Sequence, residues 1–202
     1  SREFENVARA ADAVGVDPFV RVPDGAHSTL LRFMDAGAHG VHVPWVESPT
    51  EAAAAVDGVK YQPLGTRGLA GTRASDHGRG EPLADYIERA NRETMVVVQI
   101  ESPTAVADTA AICAVPGVDV VFVGPTDLSN SMGLTGQVEH PDVVAAVDRV
   151  IDAARPTETV VGIFAGSSDA AARWIERGVR YVTTGAEGRL GHSLHSFLEP
   201  LR

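Results

Sequence analysis

Cysteine is almost missing from this chain: Cys113 is the only one in 202 residues. That excludes an internal disulfide and a cysteine-rich zinc site. Cys113 lies in the apolar run Ala110-Ala111-Ile112-Cys113-Ala114-Val115, where it reads as a small buried thiol and not as a nucleophile. Apolar runs are short, and none approaches the roughly 18 residues of a membrane span. Positive charge is scarce as well. Lys and Arg total 17 against 27 Asp and Glu, a formal net charge of −10, and Lys60 is the single lysine. With no basic block, nucleic acid and anionic membranes are not expected partners. A local arginine or a metal can still reverse the field inside one cleft. A reducing cytoplasm is the expected location.

What is present is ordinary globular material: 44% hydrophobic and 22% charged residues, enough for one domain with a substantial core. Helical and strand patterns alternate along it. Residues 3–14 place Phe4, Val7, Ala8, Ala11 and Val14 on one helical face. Residues 18–22 form a short buried strand, and Asp24 is a candidate cap for the next helix. A second strand spans 40–46. Ser48-Pro49-Thr50-Glu51 is a capping box with Pro at the first helical position, opening an Ala-rich helix to about Asp57. Residues 61–82 are rich in Gly, Arg and Pro and are too long for an ordinary connection of about 4–6 residues. They read as a lid or interface segment with room for one short helix.

Further strands are expected at 95–101, 117–125, 159–164 and 179–185, with helices between them and a short terminal helix at 193–202. These strands are continuous apolar runs, the mark of parallel strands covered on both faces. No G-x-G-x-x-G turn follows the first strand, which argues against a dinucleotide-binding open sheet. The expectation is therefore an α/β chain of (β/α)8 TIM-barrel type. Residues 1–202 would form a single partial domain with about six modules, the first two strands lying upstream of Ser1. A start in a helical pattern at Ser1, without Met, agrees with that expectation.

Side chains at the carboxyl ends of barrel strands converge on one pocket. Those ends supply Arg21, Gln99, Glu101 and Asp127. Gln99 and Glu101 are two apart and so face the same way. Glu101 and Asp127 offer oxygen ligands to a hard cation, Mg²⁺ or Mn²⁺, which takes one or two carboxylates and keeps other positions for water or substrate. The alternative is that each carboxylate belongs to a separate salt bridge. The turn Gly124-Pro125-Thr126-Asp127 can present consecutive N–H groups to a carboxylate. His39 and His42 are spaced to opposite faces of a strand and do not form a joint metal site. His27, His77, His140, His192 and His195 read as surface residues. Arg67 and Arg73 either meet an anion or a neighbouring subunit, or are simply solvated. Lys60 has no apolar pocket around it that would suit an imine mechanism.

The chain resembles the class II pyruvate-dependent aldolases of the 4-hydroxy-2-oxoheptanedioate aldolase group, within the citrate lyase β-subunit superfamily. The resemblance rests on Val20-Arg21-Val22-Pro23, Met34-Asp35-Ala36-Gly37-Ala38, Gly65-Thr66-Arg67-Gly68, Gln99-Ile100-Glu101, Val121 through Ser129, and Met132-Gly133, in that order. It implies a metal-dependent barrel, a homohexamer, and reversible cleavage of a 4-hydroxy-2-oxoacid to pyruvate and an aldehyde. It implies Glu101 and Asp127 as metal ligands for Mg²⁺, Mn²⁺ or Co²⁺, with Gln99, Thr126 and Asp127 holding pyruvate. Arg21 would stabilise the enolate oxygen, and Asp35 would act across an interface on a histidine base expected upstream of Ser1. Two other readings stay open: a citrate-lyase-like enzyme acting on an acyl-CoA thioester, and a non-catalytic shortened barrel that binds metal and 2-oxoacid.

Overall fold

Each short apolar run becomes a strand, and each is followed by a helix. The computed structural model describes residues 2–201. The strands are β1 (Phe19–Arg21), β2 (Gly40–Val43), β3 (Met95–Ile100), β4 (Val120–Val123), β5 (Val160–Phe164) and β6 (Tyr181–Thr183). They pair in parallel in sequence order, with Arg21 opposite His42, His42 opposite Val97, and Gln99 opposite Phe122. The helices are α1 (Arg2–Ala13), α2 (His27–Asp35), α3 (Pro49–Val59), α4 (Leu83–Glu93), α5 (Pro103–Cys113), α6 (Pro125–Ser131), α7 (Pro141–Ala154), α8 (Ser168–Glu176) and α9 (Ala186–Leu198).

Helix starts follow local chemistry. Ser48 and Ser102 each accept an N–H three residues on, and each is followed by Pro at the first helical position. Asp24 does not cap α2. Its carboxylate accepts the Ala26 N–H at 2.9 Å, and Ala26 is the capping residue. The long segment at 61–82 holds one irregular 3-10 stretch, Arg73–Gly78.

Period two divides the core. Outward residues such as Val41, Val98, Val121 and Ile163 pack under the helices with Leu30, Ile112 and Val147. Inward residues Val97, Val120 and Phe122 form a separate cluster with Met95, Val160 and Tyr181. The sheet curls strongly, so that the inward rings of Phe19 on β1 and Tyr181 on β6 come to 6.4 Å between centroids.

The sheet does not close, and this corrects the expectation of an eight-stranded barrel. The six strands form an open all-parallel half-barrel, with β1 paired only to β2 and β6 only to β5 among the described residues. Closure needs hydrogen bonds between first and last strands, with strand number, tilt and stagger mutually matched. Here those two strands meet through side chains alone.

Candidate active site

The carboxyl ends of the strands open onto a cavity of about 490 Å³. Arg21, Gln99, Glu101, Thr126 and Asp127 all line it. Arg21 is the last residue of β1, and Gln99 sits near the end of β3. Glu101 leaves β3 on the same side as Gln99. The chain then turns at Gly124-Pro125 into α6, whose first turn carries Asp127.

Glu101 is held from several directions. It is only 2% exposed. The Trp45 N–H donates to its Oε2 at 2.9 Å, and Ser131 Oγ donates to its carbonyl at 2.8 Å. Next to Trp45, the Val46 N–H donates to the Gln99 carbonyl at 3.2 Å. Trp45 has φ +52°, a left-handed conformation costly for a bulky residue by about 1–3 kcal/mol. That turn lets the segment after β2 lie along the end of β3 and aim an N–H at the carboxylate. Gly124 supplies the remaining space, since a Cβ there would stand 2.9 Å from Glu101 Oε1.

Burial raises the Glu101 carboxyl above its ordinary value, while the Trp45 N–H opposes the rise. The nearby Asp127 carboxylate raises it further, and the Arg21 guanidinium pulls it down. Two carboxylates therefore share one cavity, and Asp127 raises the cost of ionising Glu101. Beside them Gln99 Oε1 is enclosed without a hydrogen-bond partner. A hard cation relieves this arrangement. No group of three or more His, Cys, Asp or Glu gathers among the described residues. The donor set is two carboxylates, which fits Mg²⁺ or Mn²⁺ better than zinc.

Asp35 is not in this cavity. It ends α2, at the opposite end of the sheet, where Arg67 Nη2 donates to it at 3.0 Å. Arg67 is itself buried and stacks on Tyr61, 4.6 Å from the ring centroid. Lys60 also lies elsewhere, donating to the carbonyls of Asn91 and Thr94. His39 faces Asp17 on the outside, and His42 points inward. Sequence reasoning passed over Trp45 and the inward His42–Tyr181 pair. Inward parity on β2 was the only local sign of His42, and its partner is 139 residues away.

Together these features define a parallel β/α protein with two carboxylates, an amide and a guanidinium lining one cavity at its strand ends. The chain belongs to the HpcH/HpaI aldolase/citrate lyase family, whose profile matches residues 3–193. It is 36% identical over 187 residues to the 2-dehydro-3,6-dideoxy-6-sulfogluconate aldolase of Pseudomonas putida, covering 92% of this chain and 72% of that one. It is 37% identical to the hydroxypyruvate/pyruvate aldolase of Delftia acidovorans, covering 84% of this chain and 63% of the relative. The chain thus spans about two thirds of the length of these curated relatives. Among solved structures, a HpcH/HpaI aldolase/citrate lyase family protein from Burkholderia cenocepacia superposes with a TM-score of 0.92 at 37% identity, covering 100% of this chain and 80% of that one. No helix among the described residues is long and apolar enough to cross a membrane.

Proposed function

We propose that this chain carries a divalent-metal-dependent aldolase site that reversibly cleaves a 4-hydroxy-2-oxoacid to pyruvate and an aldehyde. The observation that carries the reading is that Glu101, Asp127 and Arg21 line one cavity at the strand ends. The aldolase names of the curated relatives support it. Glu101 and Asp127 would hold Mg²⁺ or Mn²⁺, which supplies Lewis acidity toward the carboxylate and 2-oxo oxygens of the substrate.

The chain's own residues do the rest. Cleavage breaks the bond between carbons 3 and 4. Its electron pair moves to carbon 3 and delocalises onto the 2-oxo oxygen, the 4-hydroxyl proton passes to a base as the aldehyde leaves, and a proton delivered to carbon 3 of the enolate then gives pyruvate. Arg21 places its guanidinium where the negative charge develops. Such preorganised stabilisation is worth about 3–4 kcal/mol per group. Gln99 orients the 2-oxoacid from the cavity wall. The N–H groups of Thr126 and Asp127, in the first turn of α6, would hold the carboxylate. Phe19, Phe122 and Phe164 add apolar rings to the cavity wall. Asp35, remote from the cavity within one chain, belongs to this reading only across an interface between copies, as a homo-oligomer would supply.

The test is pyruvate release from a 4-hydroxy-2-oxoacid, followed by coupled reduction of pyruvate, with and without EDTA. Release that EDTA abolishes and Mn²⁺ restores is the expected result. Release that ignores chelation would reject the metal site, and thioester cleavage in its place would move the chain to the acyl-CoA branch.

A further inference from the structure

Cleavage leaves an enolate, and its carbon 3 must then gain a proton. The lining of the strand-end cavity offers few sources. Glu101 and Asp127 are assigned to the ion, Gln99 is an amide, and a guanidinium such as that of Arg21 does not release its proton. The rest of the wall is Phe, Gly, Pro and Thr, apart from His42 and Tyr181. His42 stands beside Arg21. The two are register partners, so they share the inward face on strands about 4.8 Å apart. The guanidinium that would hold the 2-oxo oxygen and the imidazole are therefore neighbours, and carbon 3 is only two bonds from that oxygen.

His42 is not alone. Its Nε2 and Tyr181 Oη are 2.8 Å apart, and its Nδ1 makes no hydrogen bond among the described residues. The ring is held in place by packing, 5.1 Å from Phe122 and 5.5 Å from Tyr181 between centroids. Tyr181 also borders a second cavity, of about 660 Å³, at the amino ends of β3 to β6. Glu158 and Arg180 line that lower cavity and are exposed, so water reaches it. The hydrogen-bonded pair thus connects the strand-end cavity to a wet cavity on the other side of Tyr181.

We propose that His42 is the acid that protonates carbon 3 of the enolate, and that Tyr181 relays the replacement proton to it from the lower cavity. This rests on the aldolase reading above. In the tautomer with hydrogen on Nδ1, the Tyr181 hydroxyl donates to Nε2. The Nδ1–H bond breaks as the carbon–carbon double-bond pair of the enolate forms the new C–H bond, and an oxygen lone pair restores the 2-oxo group. The Tyr181 O–H bond breaks as Nε2–H forms, and the phenol oxygen takes a proton from water. The hydroxide so left is neutralised by the proton that the 4-hydroxyl gave up. After pyruvate leaves, water in the open cavity returns a proton to Nδ1 and the shift runs back. Burial holds the His42 pKa at about 4 and raises that of the Tyr181 phenol. The tautomer shift suits such a pair, because it passes through neither an imidazolium nor a lasting tyrosinate.

The test is exchange of the methyl protons of pyruvate with D₂O, which runs this proton step in both directions and needs no aldehyde. NMR follows it at saturating pyruvate with Mg²⁺ in the wild-type protein, His42→Gln and Tyr181→Phe. Calorimetry gives each pyruvate dissociation constant, and far-UV circular dichroism is the folding control. Glutamine can still hydrogen-bond to Tyr181 but cannot pass a proton through a ring. Exchange should fall about a hundredfold or more in His42→Gln and about tenfold or more in Tyr181→Phe, with dissociation constants within about threefold of wild type. Exchange within about threefold of wild type in either folded variant overturns the relay. So does a loss of exchange matched by an equal loss of pyruvate binding, which marks a structural role, and so does wild-type binding without exchange. Each of these leaves the aldolase reading intact. Absence of Mg²⁺-dependent pyruvate binding by the wild-type protein overturns the aldolase reading, and the relay with it.

Discussion

Gly124→Ala replaces one hydrogen with a methyl group, and the consequence can be worked from the structure. Gly124 has φ −93° and ψ 89°, so alanine meets no left-handed strain there. The new Cβ would stand 2.9 Å from Glu101 Oε1, 3.2 Å from its Cγ and 3.5 Å from its Cδ. Relaxed heavy-atom contacts lie near 3.5–4.0 Å, so the carboxylate must retreat by about half an ångström. It is not free to do so, because Trp45 N–H pins Oε2 at 2.9 Å. Metal sites tolerate ligand displacements of about 0.2 Å. A tenfold to hundredfold loss of Mn²⁺ affinity follows, or about 1.4–2.8 kcal/mol. Overpacking costs the fold about 1–3 kcal/mol. Calorimetric Mn²⁺ titration reads the first effect, and urea unfolding in EDTA reads the second. An affinity within about twofold of wild type, in a folded variant, would refute the claim that Glu101 binds the ion from this position.

Three further outcomes are expected. Glu101→Gln removes a buried like-charge contact, so its Tm in EDTA stays level or rises, while the Tm gain that Mn²⁺ gives the wild type disappears; paired melts with and without Mn²⁺ check this. The His42 ring stays neutral in the fold down to about pH 4, whereas the unfolded ring takes a proton below its ordinary value of 6.5. Its stabilisation is therefore complete above pH 6.5 and declines by up to about 3 kcal/mol as the pH falls to 4. His42→Phe should lose that part of the pH dependence in urea unfolding, and a parallel pH profile would show the ring to be more hydrated than its burial indicates. Lys60→Met leaves the carbonyls of Asn91 and Thr94 without their donor and removes the cation 3.9 Å from Asp119. It should cost about 2–4 kcal/mol in urea unfolding with Mn²⁺ affinity unchanged, since Lys60 is outside the cavity.

The parts of the site that the sequence made visible follow from local geometry. Period two puts Gln99 and Glu101 on one side of β3, and parallel β/α order brings the ends of β1, β3 and β4 to one cavity. Other features depend on distant parts of the chain. Closure of the sheet is a relation between first and last strands that no local pattern encodes. Gly124-Pro125-Thr126-Asp127 read as a turn, yet Pro125–Ser131 forms α6 and carries Asp127 in its first turn. Gly188 and Gly191 broke up the apolar spacing of α9, which starts at Ala186 and not at 193. The left-handed turn at Trp45 is invisible in a sequence that places no Gly there. His42 was compared with His39, its neighbour in sequence, whereas its partner is Tyr181 across the floor of the cavity.

The central claim is that Glu101 and Asp127 grip one divalent ion together. Calorimetric titration of Mn²⁺ into the wild-type protein, Glu101→Gln and Asp127→Asn tests it most directly. The account predicts one ion per chain in the wild type and binding lost, or weakened at least about a hundredfold, in each variant. Wild-type stoichiometry and affinity in Asp127→Asn would contradict it.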